Sequence, residues 1–195
     1  MTLLALVRHG QTDWNAERRI QGRTDIPLND TGRAQDLLAA EALRDGGWQR
    51  IASSTLGRAT ETAEIIASAL GLEPPATHPG LMERDYGVAE GTLVADFHAR
   101  YDGGVPVPGA ETHEELTERA LAALAEVVAQ EPDAPTIVVA HGGVIRGLLG
   151  HASNGALPRP GERIDNASVT LFRMTDDGLV LAADERESVG AGRGA

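Results

Sequence analysis

The chain has 195 residues and contains neither cysteine nor lysine, so its 17 basic residues are all arginines. These absences exclude thiolate nucleophiles, cysteine-based zinc or iron–sulfur centres, lysine Schiff bases and a P-loop lysine. A formal net charge of −12 leaves no basic surplus to displace counterions, which argues against nucleic acid or an anionic membrane as partner.

The predicted elements alternate along the chain. Thr2–Val7 reads as a buried strand, and Thr31–Arg44 as a helix with Ala34, Leu37, Leu38 and Ala42 as its apolar positions and Asp30 or Thr31 as its cap. Arg50–Ser53 is a short strand. A helix from Arg58 to Leu70 repeats Ala59, Thr62, Ala63, Ile66 and Leu70 at helical spacing, with Gly71 as its stop. After the Pro-rich segment Pro74–Pro79, residues Leu81–Gly109 read as an irregular lid or substrate loop. A long helix then starts near Glu111, with Leu116, Ala120, Ala123, Leu124, Val127 and Val128 along its stripe. Thr136–Ala140 is a continuous apolar run of the kind buried on both faces, and Val144–Leu149 a short helix. Ser168–Met174 and Leu179–Asp184 form a closing hairpin around Thr175–Gly178.

Strands alternating with helices predict an α/β fold: a three-layer α/β/α sandwich with a mostly parallel sheet and an antiparallel edge. One domain over residues 1–186 accounts for the length, with 187–195 as a disordered tail. No run approaches the roughly 18 apolar residues of a membrane span, and Met1–Val7 is too short for a secretory signal, so a soluble cytoplasmic protein is expected.

In an open α/β sheet, ligands bind beyond the carboxyl ends of the strands. Three strands lead to Arg8-His9-Gly10, to Ser53, Ser54 and Arg58, and to His141-Gly142-Gly143. Two imidazoles and two guanidinium forks thus converge on one rim, and the helix opened at Gly142 aims free N–H groups at it. That set suits a phosphoryl group: Arg binds phosphate bidentately, and a neutral imidazole can attack phosphorus. An alkoxide leaving group needs a proton, and Glu83 is the best-placed carboxyl to supply it.

Six ordered blocks carry a resemblance. They are Leu6–Asn15 (LVRHGQTDWN), Arg19-Ile20-Gln21-Gly22 with Pro27-Leu28, Ser53–Ala59, Leu81–Gly87 through Glu90-Gly91, Pro108–Glu111, and Val138–Arg146. In this order they resemble the histidine phosphatase superfamily, the phosphoglycerate mutase-like group, over about Leu3 to Arg173. The resemblance implies that His9 is the phosphorylated nucleophile, that Arg8, Arg58 and His141 hold the phosphate oxygens, and that Glu83 is the proton donor. It also implies substrate contacts from Asn15, Gln21, Gly22 and Gly142, a small phosphate ester as partner, and no metal or other cofactor.

Within that group the phosphatase branch is the nearer likeness to a phosphomonoesterase working through a phosphohistidine. Mutases resemble this chain at the core but carry a longer, more basic insertion, whereas Asp85–Gly109 is short with Arg100 as its one cation. The alternatives are mutase-type phosphoryl transfer or a non-catalytic phospho-ligand module. Ala89, Thr55 and Glu61 depart from the family pattern, which bears on substrate preference. Tyr86, Phe97, Arg100 and Tyr101 are candidate substrate contacts. His78, His98, His113 and His151 read as surface or loop residues, Arg84 and Arg146 as solvated or ion-paired. His113-Glu114-Glu115 and Asp176-Asp177-Gly178 read as helix start and turn rather than metal ligands. The oligomeric state is left open, a homodimer among the options.

Overall fold

The computed structural model describes residues 1–182, so the tail expected at 187–195 and the last residues of the closing strand lie outside the described residues. In chain order the elements are β1 (Thr2–Arg8), α1 (Asp13–Ala16), α2 (Asp30–Leu43), β2 (Arg50–Ser54), α3 (Gly57–Leu70), β3 (Ala76–His78), α4 (Val94–Tyr101), α5 (His113–Gln130), β4 (Thr136–Ala140), α6 (Gly142–Ala152), β5 (Val169–Thr175) and β6 (Gly178–Leu181).

The strands form one six-stranded sheet in the order β3-β2-β4-β1-β5-β6. The pairs β1/β4, β4/β2 and β2/β3 are parallel, while β5 runs antiparallel to β1 and β6 antiparallel to β5. The mostly parallel sheet with an antiparallel hairpin edge agrees with the sequence pattern.

Strands β1 and β4 carry unbroken apolar runs, Leu3 to Val7 and Ile137 to Ala140, because both faces are covered, and successive side chains alternate between two cores. Leu4 and Leu6 join Val138 and Ala140 under α5 and α6, against Leu116, Leu124, Ile145 and Leu148. Ala5 and Val7 join Ile137 and Val139 under α2 and α3, against Ala39, Leu43, Ala63 and Ile66. Leu6 is fully buried. Its truncation to Ala would cost about 2–5 kcal/mol, enough to threaten the marginal stability of an ordinary domain.

Several local expectations change. The N-cap of α2 is Asn29, whose side chain accepts from the Gly32 N–H at 2.9 Å, rather than Asp30 or Thr31. Helix α5 starts at His113 instead of near Glu111, because Thr112 and Glu115 close a capping box. Leu81–Gly109 is not irregular throughout: it holds a 3₁₀ turn at Gly87–Ala89 and α4, while the Pro-rich segment before it supplies β3. Helix α4 lacks a side-chain cap and has no fully buried residue, although Val94, Phe97 and Tyr101 recur at helical spacing along it. The short α1 was also not anticipated; Thr12 and Asn15 cap it reciprocally.

Candidate active site

Parallel pairing of β1 with β4 sets Arg8 opposite Ala140, so the next residues, His9 and His141, leave the sheet side by side. The His9 N–H donates to the Ala140 carbonyl at 3.1 Å, and the two ring centroids lie 5.1 Å apart. Pairing of β2 with β4 sets Ser53 opposite Val139, which brings Ser54 Oγ to 2.9 Å from His141 Nε2. The convergence of strand ends expected from the sequence is therefore a consequence of register.

His9 is almost wholly buried, and its Nδ1 lies 2.7 Å from the Gly10 carbonyl oxygen. A carbonyl only accepts, so Nδ1 carries the hydrogen and Nε2 the lone pair. Arg58 Nε donates to that lone pair at 3.3 Å. Burial, then the guanidinium charges of Arg58 and Arg8, hold the His9 pKa well below the ordinary imidazole range. Burial does the same to His141, with Arg58, His9 and Arg8 adding to it. Both rings are neutral at physiological pH, the state a histidine nucleophile requires.

Arg58 enters from the first turn of α3 and is 1% exposed. It donates to the Gly22 carbonyl at 2.7 Å and the Thr24 carbonyl at 3.1 Å, with Asp25 Oδ1 at 3.5 Å. Arg8 donates to the Ile164 carbonyl at 2.6 Å, and its Nε is buried with no partner. Gln21 Nε2 and His141 Nδ1 are likewise buried and unpartnered among the described residues. Leaving such a group unsatisfied typically costs about 1–3 kcal/mol, and two of these three atoms are N–H donors, which an anionic ligand would satisfy.

Glu83 follows the 3₁₀ turn Pro79–Leu81 and is 6% exposed. Its carboxyl accepts from the N–H of Arg84 at 2.7 Å and from the N–H of Gly143, at the start of α6, at 2.8 Å. Burial raises its pKa; the two N–H groups, Arg58 and Arg8 oppose the shift without cancelling it. Gly143 is required by this approach, because a Cβ there would run into Glu83 Oε1.

The remaining predicted residues form the surrounding layer. Gln21 Oε1 accepts from Thr12 Oγ1 at 2.8 Å and from Asn15 Nδ2 at 3.0 Å, which fixes the amide. Gly22 supplies the carbonyl that holds Arg58, in a space where a Cβ would meet Arg84 and Glu90. A cavity of about 280 Å³ is lined by Arg8, Asn15, Gln21, Glu83 and Gly142. His9, Arg58 and His141 are not among its lining residues, although Arg8 and Gly142 beside them in the sequence are.

All nine residues singled out from the sequence are thus brought together, and the structure adds others. Asn166 Nδ2 lies 3.0 Å from the His9 carbonyl, 3.2 Å from the Gly10 carbonyl and 3.0 Å from Asn15 Oδ1. It belongs to no sequence block; only the pairing of β5 beside β1 brings it here. Thr12 orders Gln21, and Arg146, Arg163 and His113 line the cavity. His113 and His98 keep the exposed positions expected of them while lining the cavity and a neighbouring depression, Arg146 is half-buried in the cavity wall, and His78 departs from expectation by being buried. Arg84 is turned inward, donating to the Glu111 carbonyl at 2.6 Å and lying over the Tyr86 ring. Of the candidate substrate contacts, Tyr86 lines the cavity, whereas Phe97 and Tyr101 pack on each other.

Comparison with known proteins places this geometry in context. Residues 4–184 match a family model described as the histidine phosphatase superfamily, branch 1. The chain is 41% identical over 177 residues to an uncharacterized phosphatase, PhoE, of Bacillus subtilis, covering 91% of each protein. It is 38% identical over 186 residues to phosphoglycerate mutase-like protein 4 of Arabidopsis thaliana, covering 89% of this chain and 80% of that protein. Among solved structures, a mycobacterial glucosyl-3-phosphoglycerate phosphatase complexed with VO3 superposes with a TM-score of 0.80 at 31% identity, covering 93% of this chain and 97% of the other.

Proposed function

Since the chain belongs to the histidine phosphatase superfamily, we propose that it is a metal-independent phosphomonoesterase acting on a small phosphorylated metabolite through a phosphohistidine at His9. The observation that carries this reading is the state of His9: its Nδ1 proton is committed to the Gly10 carbonyl, and its Nε2 lone pair is free of a proton between two cationic guanidiniums.

In the first half-reaction, Nε2 of His9 attacks phosphorus in line with the leaving oxygen. The N–P bond forms as the P–O bond breaks, and the positive charge gained by the ring is stabilised by the Nδ1–H bond to Gly10. Arg8 and Arg58 neutralise the phosphoryl oxygens and the neutral His141 offers them an N–H, contributions for which loss of one donor typically costs about 100- to 1,000-fold in rate. Glu83, whose pKa burial raises, acts in its protonated form and gives that proton to the leaving oxygen. In the second half-reaction, the Glu83 carboxylate takes a proton from water as that water attacks phosphorus. The N–P bond breaks, inorganic phosphate leaves, and both residues return to their starting states. Asn15, Gln21, Gly22 and Gly142 contact phosphate or substrate in this reading. Relatives named for phosphoserine and for glucosyl-3-phosphoglycerate support a small ester as substrate.

The test is turnover of p-nitrophenyl phosphate in the presence of a chelator, with His9→Ala alongside. Equal rates for wild type and variant would remove the enzyme reading and leave a phospho-ligand module. Rapid isomerisation of 3-phosphoglycerate in the presence of 2,3-bisphosphoglycerate, without phosphate release, would replace hydrolysis by mutase chemistry.

A further inference from the structure

The Ser54 hydroxyl stands between the start of α3 and the second histidine of the site. Ser54 ends β2 and is fully buried, as is His141. Its Oγ accepts from the Leu56 N–H, at the N-cap of α3, at 3.2 Å and lies 2.9 Å from His141 Nε2. The backbone here is tied down as well: the Ser54 carbonyl accepts from Thr60 Oγ1 at 3.1 Å, and Ser54 pairs with His78 of β3. The hydroxyl is thus held at a fixed point beside the ring.

Counting donors and acceptors decides which nitrogen of His141 carries the hydrogen. The Leu56 amide can only donate, so Ser54 Oγ spends one lone pair on it and still holds its own hydrogen. Among the described residues, His141 Nε2 is the one acceptor within reach of that hydrogen. If Nε2 carried the ring hydrogen, the Ser54 hydroxyl would be a buried donor with no acceptor, and Nδ1 a buried acceptor with no donor. If Nδ1 carries it, Ser54 donates to Nε2 and one group alone is left unmet, the Nδ1–H itself. Buried polar groups are seldom left unpaired, so the second arrangement prevails. The Nδ1–H also has company: Arg8 Nε, another buried donor without a partner, lies 3.5 Å from where a Cβ on the adjacent Gly142 would stand.

We propose that Ser54 is the positioning residue that fixes His141 in its Nδ1–H tautomer, so that the ring offers the phosphoryl oxygens a donor instead of a lone pair. The proposal rests on the phosphatase reading, in which those oxygens lie against Arg8, Arg58 and His141. Neutral histidine in water favours the opposite tautomer, with its hydrogen on Nε2, so the ring needs a partner to hold this one. His9 and His141 then share a tautomer but reach it by opposite means. A carbonyl acceptor at Nδ1 of His9 leaves the Nε2 lone pair for phosphorus, while a hydroxyl donor at Nε2 of His141 leaves the Nδ1–H for oxygen.

Long-range nitrogen–proton correlation spectra of the ¹⁵N-labelled protein above pH 7 report which ring nitrogen is protonated, and His141→Gln identifies the His141 signals by their loss. The wild type is expected to show a protonated Nδ1 and a bare Nε2, a result that needs no variant of Ser54. In Ser54→Ala the hydrogen should shift toward Nε2, and kcat/KM for p-nitrophenyl phosphate should fall about tenfold, the scale of one hydrogen bond. Adding Ser54→Ala to His141→Gln should cost little more, because the serine acts through the ring; a merely structural role gives losses that add. A protonated Nε2 in the wild type, a hydrogen that stays on Nδ1 in Ser54→Ala, or additive losses in the double variant each overturn the inference and leave the phosphatase reading intact. Absence of turnover in the wild type refutes that reading, and the role of Ser54 in catalysis with it, whatever the tautomer.

Discussion

Arg58 Nε donates a hydrogen bond to His9 Nε2 at 3.3 Å, so the nitrogen assigned the nucleophilic role faces a guanidinium before it faces phosphorus. That contact keeps a proton off the lone pair and must pass to a phosphoryl oxygen as attack begins. Deprotonation of the nucleophile and neutralisation of the substrate are thus done by one side chain in turn.

The first prediction follows from this contact. Because burial and Arg58 hold the His9 pKa well below its ordinary value, the acid limb contributed by His9 to kcat/KM should lie below pH 6.5 in the wild type. Arg58→Ala removes the largest charge acting on the ring and admits water, so the limb should move to higher pH while the rate falls by about 100- to 1,000-fold. The comparison must use one substrate, so that its own phosphate ionisation cancels. An acid limb that stays in place when Arg58 is removed would break the link.

The second prediction concerns the leaving group. Glu83→Gln keeps the shape of the carboxyl and loses the proton, so hydrolysis of an alkyl phosphate should slow by about 100- to 10,000-fold. The first step with p-nitrophenyl phosphate should suffer much less, since that leaving group departs as a stabilised anion. Gly143→Ala should reproduce the pattern in weaker form, because the added methyl group displaces the Glu83 carboxyl without removing it. Equal losses on both substrates would assign Glu83 to binding rather than proton transfer.

A third prediction comes from Asp36, a fully buried carboxyl on α2 that the mechanism does not use. It lies 2.8 Å from Thr62 Oγ1, and the same hydroxyl is 2.9 Å from the Arg58 carbonyl and accepts from the Gly10 N–H at 3.2 Å. Burial pushes the Asp36 pKa up to about 7, with the Glu61 charge helping and the Thr62 and Gly10 hydrogen bonds opposing. A carboxyl whose pKa is higher in the folded state stabilises the fold while protonated, and that stability is lost as pH rises from the ordinary carboxylate range to about 7. His9 and His141, with lowered values, act in the opposite sense and remove stability as pH falls below about 6.5. The Tm difference between Asp36→Asn and wild type isolates the carboxyl: it should grow from pH 4 to pH 7 and then level off. A difference independent of pH would mean that Asp36 does not titrate in this window.

The sheet and the inner site were legible in the sequence for the same reason. Apolar runs such as Thr136–Ala140 arise because a doubly covered strand has no solvent face, and the residues that end such strands must lie on one rim. His9, His141 and Arg58 follow from that rule before any likeness to a family is considered. The outer layer was not legible because its members meet by register rather than by spacing. Asn166 reaches His9 across 157 positions of sequence, and Arg18 and Arg163 meet at the cavity mouth from opposite ends of the chain. Helix α4 is a different case: Val94, Phe97 and Tyr101 recur at helical spacing, but no capping residue marks its start and its eight residues are too few to stand out from the loop around them.

Asn166 supplies the last prediction. Its Nδ2 is near three acceptors, the carbonyls of His9 and Gly10 and the Asn15 side-chain oxygen, so one amide positions both the nucleophile's loop and the residue that orders Gln21. Asn166→Ala should lower kcat by about 10- to 100-fold, the worth of a partly buried hydrogen-bond donor whose partners are left unsatisfied. Asn166→Asp has almost the same shape but turns an acceptor toward three oxygens, so at neutral pH it should be worse than Ala. Protonation of the new carboxyl restores one donor, and its activity relative to wild type should therefore recover as pH falls, whereas that of Asn166→Ala should not. A role for Asn166 in packing alone predicts the reverse ranking, with Asp milder than Ala, and no recovery with pH.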